Sequence, residues 1–441
     1  MEKTISLGDA DEQSRKEAKL LNNNNLLNLT GCGGKTLLHK ELCGNSLAKL
    51  CETTRNRDVY IWGAGYYGVS LYRKCREYGV EIKGFMDKNP LLENTVVEGL
   101  TVFGLAVLEK YKEKKPYLIL AAPLSTEAME AFCIQNGFEA GKDFYSTRNI
   151  KEFLLDISGT CNLVCPSCPR GCSPRNAIKG FMDVALFKKI VDKILADEPD
   201  LTCLALFNWG EPFLHPSLAE CISYLKEKNI YSALSSNMSI EKSIDSALRA
   251  NPDWLKVSLS GYYQDVYATT HTGGNVNLVK SNLYRIRYLI DKYQLSTKVE
   301  IRYHKYLNNL GRDFEKIQEL CKELDFALYD VVACLMPFER IIDHHERTPV
   351  KNLEKLLPLF IDKEVYQVKK VDSKTASKSC RYQSSQILID CNGKLQLCCN
   401  TYDDTNNFDM DYLTTPLQDI IKEKQAHDFC KKCKKYGLFQ Q

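Results

Sequence analysis

The stretch that decides the fold is Ile157-Ser158-Gly159-Thr160-Cys161-Asn162-Leu163-Val164-Cys165-Pro166-Ser167-Cys168. Its three cysteines form a CxxxCxxC loop directly after a short apolar run at residues 153–158. Such a loop offers three thiolates to a cluster of four irons and leaves one iron without a protein ligand. An iron with a vacant coordination position can hold a substrate or a cofactor.

Two further motifs stand at the ends of later apolar runs. Asn208-Trp209-Gly210-Glu211-Pro212 ends the second run, and Ser258-Leu259-Ser260-Gly261 ends the fourth. With the cysteine loop, these motifs resemble the radical S-adenosylmethionine (SAM) superfamily over roughly residues 151–340. The resemblance implies an α/β fold with a partial (β/α)6 TIM-like barrel. It also implies a [4Fe-4S] cluster held by Cys161, Cys165 and Cys168, and SAM that is reductively cleaved to a 5′-deoxyadenosyl radical.

The resemblance assigns further residues to the cofactor. The segment Gly210, Glu211 and Pro212 is expected to bind the methionyl ammonium, because a buried carboxylate beside a cation forms a strong hydrogen bond. The other expected SAM contacts are Ser258 and Ser260 to the ribose hydroxyls, Ser236 and Asn237 where relatives carry a Thr-Asn-Gly turn, and Arg302 to the methionyl carboxylate. Met238 replaces the glycine of that turn.

From residue 151 onward strand-like and helix-like runs alternate, which is typical of a parallel sheet with crossover helices. Strands are predicted at 153–158, 202–208, 231–236, 254–260, 298–304 and 328–334, and helices at 183–196, 216–228, 240–250, 276–293 and 313–324. In three of the predicted strands every second residue is polar, which places these side chains on one face of the sheet. They are Asp156 and Ser158 in the first strand, Lys256, Ser258 and Ser260 in the fourth, and Glu300, Arg302 and His304 in the fifth. This face predicts a wet interior cavity, and a set of inward salt bridges is the alternative.

Two histidines are candidate catalytic residues. His304 lies on the predicted polar face, and His271 stands in Thr270-His271-Thr272-Gly273-Gly274. An imidazole titrates near neutrality and can act as acid or base or contact a substrate. A structural role with satisfied hydrogen bonds is the alternative for either one.

Composition excludes some classes of function. The 441 residues include 59 basic and 56 acidic ones, and the net charge of +3 gives no nucleic-acid or membrane signal. The chain shows no apolar stretch of signal-peptide or transmembrane length. Nineteen cysteines in such a chain indicate metal ligands and buried thiols in a reducing cytoplasm rather than disulfides.

The N-terminal part falls into two pieces. Residues 1–56 form a polar, partly helical segment, and its Gly31-Cys32-Gly33-Gly34-Lys35-Thr36 lacks the first glycine of a phosphate loop. Residues 57–150 predict a small Rossmann-like domain, with a strand ending at Trp62 and the turn glycines Gly63, Gly65 and Gly68. Asp87 ends its second strand, where a ribose-binding carboxylate is expected. This domain resembles those attached to carbohydrate-modifying enzymes, which implies a nucleotide or nucleotide-linked sugar; a turn kept for packing alone is the alternative.

A second cysteine group follows a linker at residues 341–378. Cys380, Cys398, Cys430 and Cys433 resemble the twitch form of the SPASM auxiliary domain, which we place at residues 379–441. Four thiolates would saturate a second [4Fe-4S] cluster, whose natural role is electron transfer. Tetrahedral zinc is the alternative. Cys391 or Cys399 could substitute for a neighbour, and Cys172 is expected to be a bystander.

These features predict an enzyme that abstracts a hydrogen atom and oxidises its substrate by two electrons. The expected substrate is a carbohydrate, a cyclitol or a nucleotide-linked sugar, and the expected electron donor is a flavodoxin or ferredoxin that could dock on Lys431, Lys432, Lys434 and Lys435. Alternatives are a radical maturase of a ribosomal peptide, a redox-neutral epimerase, and a metal-bearing nucleotide-binding scaffold without turnover. The sequence leaves the substrate and the oligomeric state open.

Overall fold

The structure, a computed structural model, describes residues 47–111, 114–121, 125–172, 179–361 and 380–440. No helix among these residues is long and apolar enough to cross a membrane. The glycine-rich segment 31–36, Cys32, Cys43 and the second part of the predicted linker, residues 362–378, lie outside the described residues.

The described strands build two sheets, and helices connect most of them. The strands are β1 (Val59–Trp62), β2 (Gly84–Met86), β3 (Val96–Val97), β4 (Leu100–Phe103), β5 (Tyr117–Leu120), β6 (Phe144–Ser146), β7 (Glu152–Leu155), β8 (Cys203–Ala205), β9 (Tyr231–Ser236), β10 (Trp254–Ser258), β11 (Lys298–Lys305), β12 (Ala327–Val332), β13 (Gln386–Ile389) and β14 (Leu395–Gln396). The helices are α1 (Leu50–Thr53), α2 (Tyr66–Glu77), α3 (Thr126–Gln135), α4 (Pro169–Cys172), α5 (Val184–Asp197), α6 (Leu218–Glu227), α7 (Ile244–Arg249), α8 (Gln264–Thr270), α9 (Val276–Tyr293), α10 (Arg312–Leu324), α11 (Phe338–His345), α12 (Leu353–Leu356), α13 (Arg381–Ser385), α14 (Leu417–Ala426) and α15 (Asp428–Lys435).

The first sheet has the order β3-β4-β2-β1-β5-β6 and is parallel except for the β3–β4 pair. The glycine turn follows the central strand β1 and leads into α2. Gly63 has φ 119°, a conformation that side chains rarely adopt. A Cβ at Gly68 would lie 1.8 Å from the Gly63 carbonyl oxygen, so glycine there lets the helix approach the strand. Asp87 accepts the backbone N–H of Ala64 at 3.0 Å and thereby holds the turn.

The second sheet has the order β12-β11-β10-β9-β8-β7-β13-β14. All neighbouring pairs from β12 to β13 are parallel, and β13 and β14 form an antiparallel pair. The chain therefore fills six parallel positions in sequence order. This arrangement confirms the predicted mixed α/β class with parallel sheets. The closure of this sheet into a partial barrel stays a prediction.

Helices α5, α6, α7, α9 and α10 share one apolar core with one face of the second sheet. Leu255, Val257 and Ile301 from that face pack in this core, and they alternate with the polar Lys256, Ser258 and Arg302 on the opposite face. Successive side chains of a strand point to opposite faces, so branched and aromatic residues at every second position all lie on the face that packs against the helices. The predicted division into an apolar and a polar strand face is present.

The first residues of three strands in the second sheet belong to the apolar cluster of the first sheet. Cys203, Tyr231 and Trp254 begin β8, β9 and β10, and they pack with side chains of β1 and α2. Tyr66, at the start of α2, has its ring centroid 6.0 Å from that of Trp254. The unit built on the first sheet thus covers the amino-terminal edge of the second sheet and leaves the carboxyl edge to the cysteine loop.

Several predicted bounds agree with the structure, and β9 and α9 coincide with the predicted ranges 231–236 and 276–293. Strand β8 (Cys203–Ala205) is shorter than the predicted 202–208, and the loop after it directs the N–H groups of Trp209 and Gly210 to the Asp156 carboxylate. The sequence reading missed β13 and β14. Strand β13 pairs with β7, more than two hundred positions earlier in the chain, and β14 pairs with β13.

We expect Gly68→Ala to lower the free energy of unfolding by about 1–3 kcal/mol, because the new methyl group would overlap the Gly63 carbonyl. Gly65→Ala is the matched control, since nothing lies within 4 Å of a Cβ at that position. Urea unfolding of the two variants measures the difference. Equal stability of both variants would contradict the packing role of Gly68.

Candidate functional site

The cysteine loop lies between β7 and the short helix α4 at the carboxyl edge of the second sheet. Three backbone contacts fix its path. The Val164 N–H donates to the Thr272 carbonyl at 3.0 Å, and the Cys168 N–H donates to the Cys165 carbonyl at 3.1 Å. The buried Arg340 donates to the Pro166 carbonyl at 3.1 Å. The thiols of Cys161, Cys165 and Cys168 are all partly buried.

These three thiols are close enough to repel one another electrostatically as thiolates. Burial, and to a smaller extent the neighbouring Cys161, raises the pKa of Cys165 to about 12. Burial and Cys165 also raise the pKa of Cys168. Three adjacent thiolates are therefore stable together only beside a compensating cation, which a cluster of irons provides. The donor set fits the predicted cluster.

Asp156 and Gly210 join the ends of β7 and β8. The buried Asp156 carboxylate accepts the N–H groups of Trp209 and Gly210 at 3.2 and 3.1 Å. A Cβ at Gly210 would lie 1.5 Å from the Ser158 carbonyl oxygen, so only glycine fits at this crossing. Burial raises the pKa of Asp156 to about 6, and the nearby Arg170 guanidinium and the N–H donors oppose that shift.

Glu211 is 2% exposed and lies between the cysteine loop and β9. Its N–H donates to the Thr160 carbonyl at 2.8 Å, and its carboxylate accepts the N–H groups of Phe213 at 3.1 Å and Asn237 at 2.8 Å. Burial raises its pKa to about 7, against the effect of these donors. A bound cation would keep this carboxylate charged at neutral pH.

The Ser236-Asn237-Met238 turn follows β9 beside the cysteine loop. Met238 has φ 51°, the left-handed conformation in which relatives place glycine. The Ser236 hydroxyl accepts the Met238 N–H at 3.0 Å, and the Asn237 amide donates to Asn162 Oδ1 at 3.0 Å. Asn282 on α9 donates to the Met238 carbonyl at 2.9 Å. These hydrogen bonds hold the turn with methionine in place of glycine.

The polar ends of β10 and β11 are joined to each other. The Ser260 hydroxyl accepts the His304 N–H at 3.1 Å, and Asn309 donates to the carbonyls of Ser260 at 3.0 Å and His304 at 2.8 Å. Ser258 is half-buried on the polar face. The ribose contacts assigned to these two serines stay predictions.

His271 and His304 are neighbours in a poorly solvated region. The His271 ring stacks on Tyr267 with centroids 4.5 Å apart, and its Nδ1 lies 3.0 Å from the Thr270 hydroxyl. Burial lowers the pKa of His271 to about 3, helped by the charge of His304, and burial lowers that of His304 to about 4. Both imidazoles are therefore neutral near pH 7. Their catalytic role stays a prediction, with the neutral ring as the available form.

Below the histidines, the polar face carries charged groups. The Arg302 guanidinium forms an ion pair with Glu300 and lies 3.9 Å from the centroid of the Tyr329 ring. The Lys256 ammonium lies 4.5 Å from the centroid of the Tyr66 ring, which comes from the first sheet's helix α2. Burial lowers the pKa of Lys256 to about 8. The Arg302–Glu300 ion pair is of the kind that the salt-bridge alternative predicts. The Lys256 ammonium beside it has aromatic neighbours instead.

Some of the residues predicted to contact a nucleotide in the first sheet hold the backbone of the glycine turn instead. Asp87 accepts N–H groups from Ala64 and Asn89. Gly63 and Gly68 are buried, whereas Gly65 is exposed. Gly63 and Gly68 are therefore part of the packing of the turn, whereas Gly65 faces solvent. The ligand of this turn stays a prediction.

The four C-terminal cysteines meet in one pocket. Cys380, Cys398, Cys430 and Cys433 line it together with the rings of Phe338, Phe429 and Phe439. Cys391 lies elsewhere, in the core of the second sheet, with its thiol 3.8 Å from the Lys179 carbonyl. Cys399 packs beside Leu154 and Leu388 on the sheet. The four predicted ligands thus line one pocket, and Cys391 lies apart from it, whereas the Cys399 thiol stays beside that of Cys398.

Among the described residues, no three Cys, His, Asp or Glu side chains converge tightly enough to ligate a single metal ion. Zinc needs its four sulfurs about 2.3 Å from one point, whereas a cubic cluster spreads its ligands over four irons. The cluster and the zinc alternative for these four cysteines both stay predictions.

Trp209 and Tyr402 lie between the two cysteine groups. The Trp209 indole N–H donates to the Thr401 carbonyl at 3.1 Å, three residues after Cys398. The Tyr402 ring centroid is 6.2 Å from that of Trp209 and 5.7 Å from the Arg170 guanidinium on α4. The two candidate metal sites therefore share one packed boundary.

The lysines predicted to dock an electron donor have local partners in part. Lys431 pairs with Asp428 at 2.7 Å, and Lys432 pairs with Glu346 at 2.6 Å. Lys434 lines the cysteine pocket. The docking role stays a prediction.

Sequence reasoning missed the residues that support the site from other elements. Asn282, Asn309 and Arg340 each donate to backbone carbonyls of the loops at the carboxyl edge, from helices or turns that follow later in the chain. Their sequence signal is a buried position within an amphipathic pattern occupied by a polar residue. That signal names no partner.

Comparison with known proteins finds partial similarities. No protein-family model matches the chain. A probable GTP 3′,8-cyclase of Methanococcus maripaludis is 32% identical over 139 residues, which are 31% of this chain and 45% of that protein. The chain thus matches less than half the length of this curated relative.

Solved structures give looser superpositions. Native anSMEcpe with bound AdoMet is 17% identical with a TM-score of 0.42, over 66% of this chain and 88% of that one. Streptococcus suis SuiB bound to precursor peptide SuiA is 13% identical with a TM-score of 0.42, over 66% and 70%. BtrN in complex with AdoMet and 2-DOIA is 16% identical with a TM-score of 0.36, over 66% and 88%. At these scores the superpositions carry no argument about activity.

As the pH falls from 6.5 toward 4, we expect the two buried histidines to lower the stability of the metal-free protein, whereas Asp156 and Glu211, whose folded pKa values are raised, act in the opposite direction. Both buried histidines have folded pKa values below the unfolded value, so the unfolded chain takes up more protons in this window. His271→Gln should reduce the loss by on the order of 2 kcal/mol. Urea unfolding at several pH values measures it, with the exposed-site variant Lys422→Met as control. An unchanged pH slope in His271→Gln would contradict the buried neutral state.

Proposed function

We propose that the chain is a radical SAM enzyme that oxidises a hydroxyl-rich substrate by hydrogen-atom abstraction. The observation that carries the proposal is the meeting of the cysteine loop, Glu211 and Asn237 at the carboxyl edge of a parallel sheet. In open parallel sheets, this edge is where ligands bind.

The residues of the first site fit the cofactors of the superfamily. Cys161, Cys165 and Cys168 would hold a [4Fe-4S] cluster with one iron free for SAM. When both are bound, they supply a 5′-deoxyadenosyl radical, which is the hydrogen-abstracting species. The protein binds and orients the cofactors and excludes water from the reacting atoms.

Glu211 and Asp156 have distinct parts in this proposal. Glu211 presents a buried carboxylate next to the loop, and a methionyl ammonium there would form a charge-assisted hydrogen bond with it. Asp156 instead fixes the backbone of Trp209 and Gly210 and so positions Glu211. Asn237 spans the two parts, because it donates its backbone N–H to Glu211 and its side-chain amide toward Cys161.

The polar strand face supports a polar substrate. Lys256, Ser258 and Arg302 present donors on adjacent strands, and Glu300 presents an acceptor. A carbohydrate, cyclitol or nucleotide-linked sugar offers hydroxyl groups and charges for such a face. The exposed Gly65 at the start of α2 lies on the element that also carries Tyr66 to this face, which favours the nucleotide-linked member of this class.

The second cysteine pocket supports oxidation as the net outcome. Four cysteines would saturate a [4Fe-4S] cluster, and a saturated cluster supplies a one-electron acceptor rather than a binding site. The aromatic lining of Phe338, Phe429 and Phe439 keeps water away from it. A flavodoxin or ferredoxin is the proposed electron donor to the first site.

We expect Cys165→Ala to abolish formation of 5′-deoxyadenosine, because only two loop thiolates would remain. Cys433→Ala should keep formation of 5′-deoxyadenosine and lower the yield of oxidised product at least tenfold. Anaerobic reconstitution should give about eight irons in the wild type and about four in Cys165→Ala, which keeps only two loop thiolates. Product analysis by mass spectrometry and iron determination provide the measurements.

Matched controls are available for both cysteine variants. Cys172→Ala removes a buried thiol next to the first site, and Cys391→Ala removes one outside the second pocket. Both should retain eight irons and full turnover. Zinc in place of iron, with no SAM cleavage, would instead support the scaffold alternative.

We expect Glu211→Gln to weaken SAM binding to the reconstituted protein by about tenfold, because a charge-assisted hydrogen bond to the methionyl ammonium becomes neutral. Equilibrium dialysis with labelled SAM measures the affinity. Glu227→Gln on the exposed end of α6 is the control, and it should bind SAM as the wild type does. Unchanged affinity in Glu211→Gln would rule out the proposed contact.

A further inference from the structure

Lys424 is a charged side chain enclosed beside the second cysteine pocket. It lies on α14 and is 1% exposed. Its ammonium donates to the carbonyl of Tyr382 at 2.9 Å and to that of Gln386. The Gln383 amide donates to the Lys424 carbonyl at 2.8 Å, so side chain and backbone are both fixed.

No carboxylate in the described part of the chain forms an ion pair with this ammonium. A buried charge without a partner of opposite sign is costly, and lysine is almost never fully buried unless it is paired. The groups of opposite charge that act most strongly on Lys424 are the thiolate forms of Cys398, Cys430, Cys399 and Cys380. Three of these four cysteines line the pocket.

We propose that Lys424 is the counter-charge of the metal group in this pocket and raises the reduction potential of the auxiliary cluster. This inference rests on the proposed function, which places a [4Fe-4S] cluster on Cys380, Cys398, Cys430 and Cys433. Lys424 is a positioning residue here, since it acts on the cluster through charge and hydrogen bonding and touches no substrate.

The sign of the effect follows from the charge balance. Reduction adds one electron, and so one negative charge, to a cluster already surrounded by four thiolates. A fixed positive charge nearby stabilises the reduced form more than the oxidised form, which raises the potential. An ammonium has three N–H donors, and the two carbonyls account for two of them.

A higher potential suits the role of electron acceptor. In the proposed reaction, the substrate-derived radical gives one electron to the cluster and loses a proton as its new double bond forms. The cluster takes up that electron and no proton. The lysine thus favours the oxidative outcome at a position remote from the hydrogen-abstracting site.

The test isolates the second cluster by replacing Cys161, Cys165 and Cys168 with alanine in the full-length chain. In this background, Lys424→Met, Lys424→Arg and the exposed-site control Lys422→Met are reconstituted anaerobically. A redox titration followed by electron paramagnetic resonance measures each midpoint potential. Lys424→Met should lower the equilibrium constant for reduction at least tenfold, which is about 59 mV for a one-electron couple. Lys424→Arg and Lys422→Met should stay close to the parent.

An unchanged midpoint in a Lys424→Met protein that retains four irons overturns the proposal. If Lys424→Met assembles no cluster, iron content becomes the readout. Retention of four irons by Lys424→Arg then supports the charge role, whereas loss in both variants assigns Lys424 to the hydrogen bonds with Tyr382 and Gln386 and overturns it. Absence of iron from the background with native Lys424 would instead mean that the auxiliary cluster of the proposed function is wrong.

Discussion

The arrangement of the molecule depends on the crossing of two strand ends, where the Asp156 carboxylate binds the backbone N–H groups of Trp209 and Gly210. Gly210 approaches the Ser158 carbonyl so closely that no side chain fits. This contact fixes the loop after β8 against the loop after β7. Since the first loop carries Glu211 and the second carries the three cysteines, one buried carboxylate sets the relative position of the acid and the thiols.

The two edges of the parallel sheet carry different groups. The carboxyl ends of parallel strands meet at one edge, so the cysteine loop, the Asn237 turn and the His304 segment come together there. The amino ends lie at the other edge, where Cys203, Tyr231 and Trp254 pack against the first sheet. The first sheet therefore reaches the polar face of the second sheet through Tyr66.

The two cysteine groups are joined by packing rather than by sequence. The β13 strand pairs with β7, and the Trp209 indole binds the Thr401 carbonyl beside the second pocket. Burial then decides the protonation of the groups between them. It raises the pKa of Asp156 and Glu211 toward neutrality and lowers those of His271 and His304 far below it. Burial in this region disfavours an isolated charge on any of these side chains. A charged cofactor bound there would supply the opposite charge that such a side chain needs.

The sequence by itself determined the elements whose signals are local. The strand at 231–236, the helix at 276–293 and the alternating polar face follow from short-range periodicity, and cysteine spacing indicated both ligand sets. Only the tertiary structure decided that β13 extends the second sheet, that Cys380 and Cys433 share a pocket and that Lys424 is buried beside it. These facts arise from contacts between residues distant in the chain. Periodicity records which face of an element is buried and carries no information about what buries it.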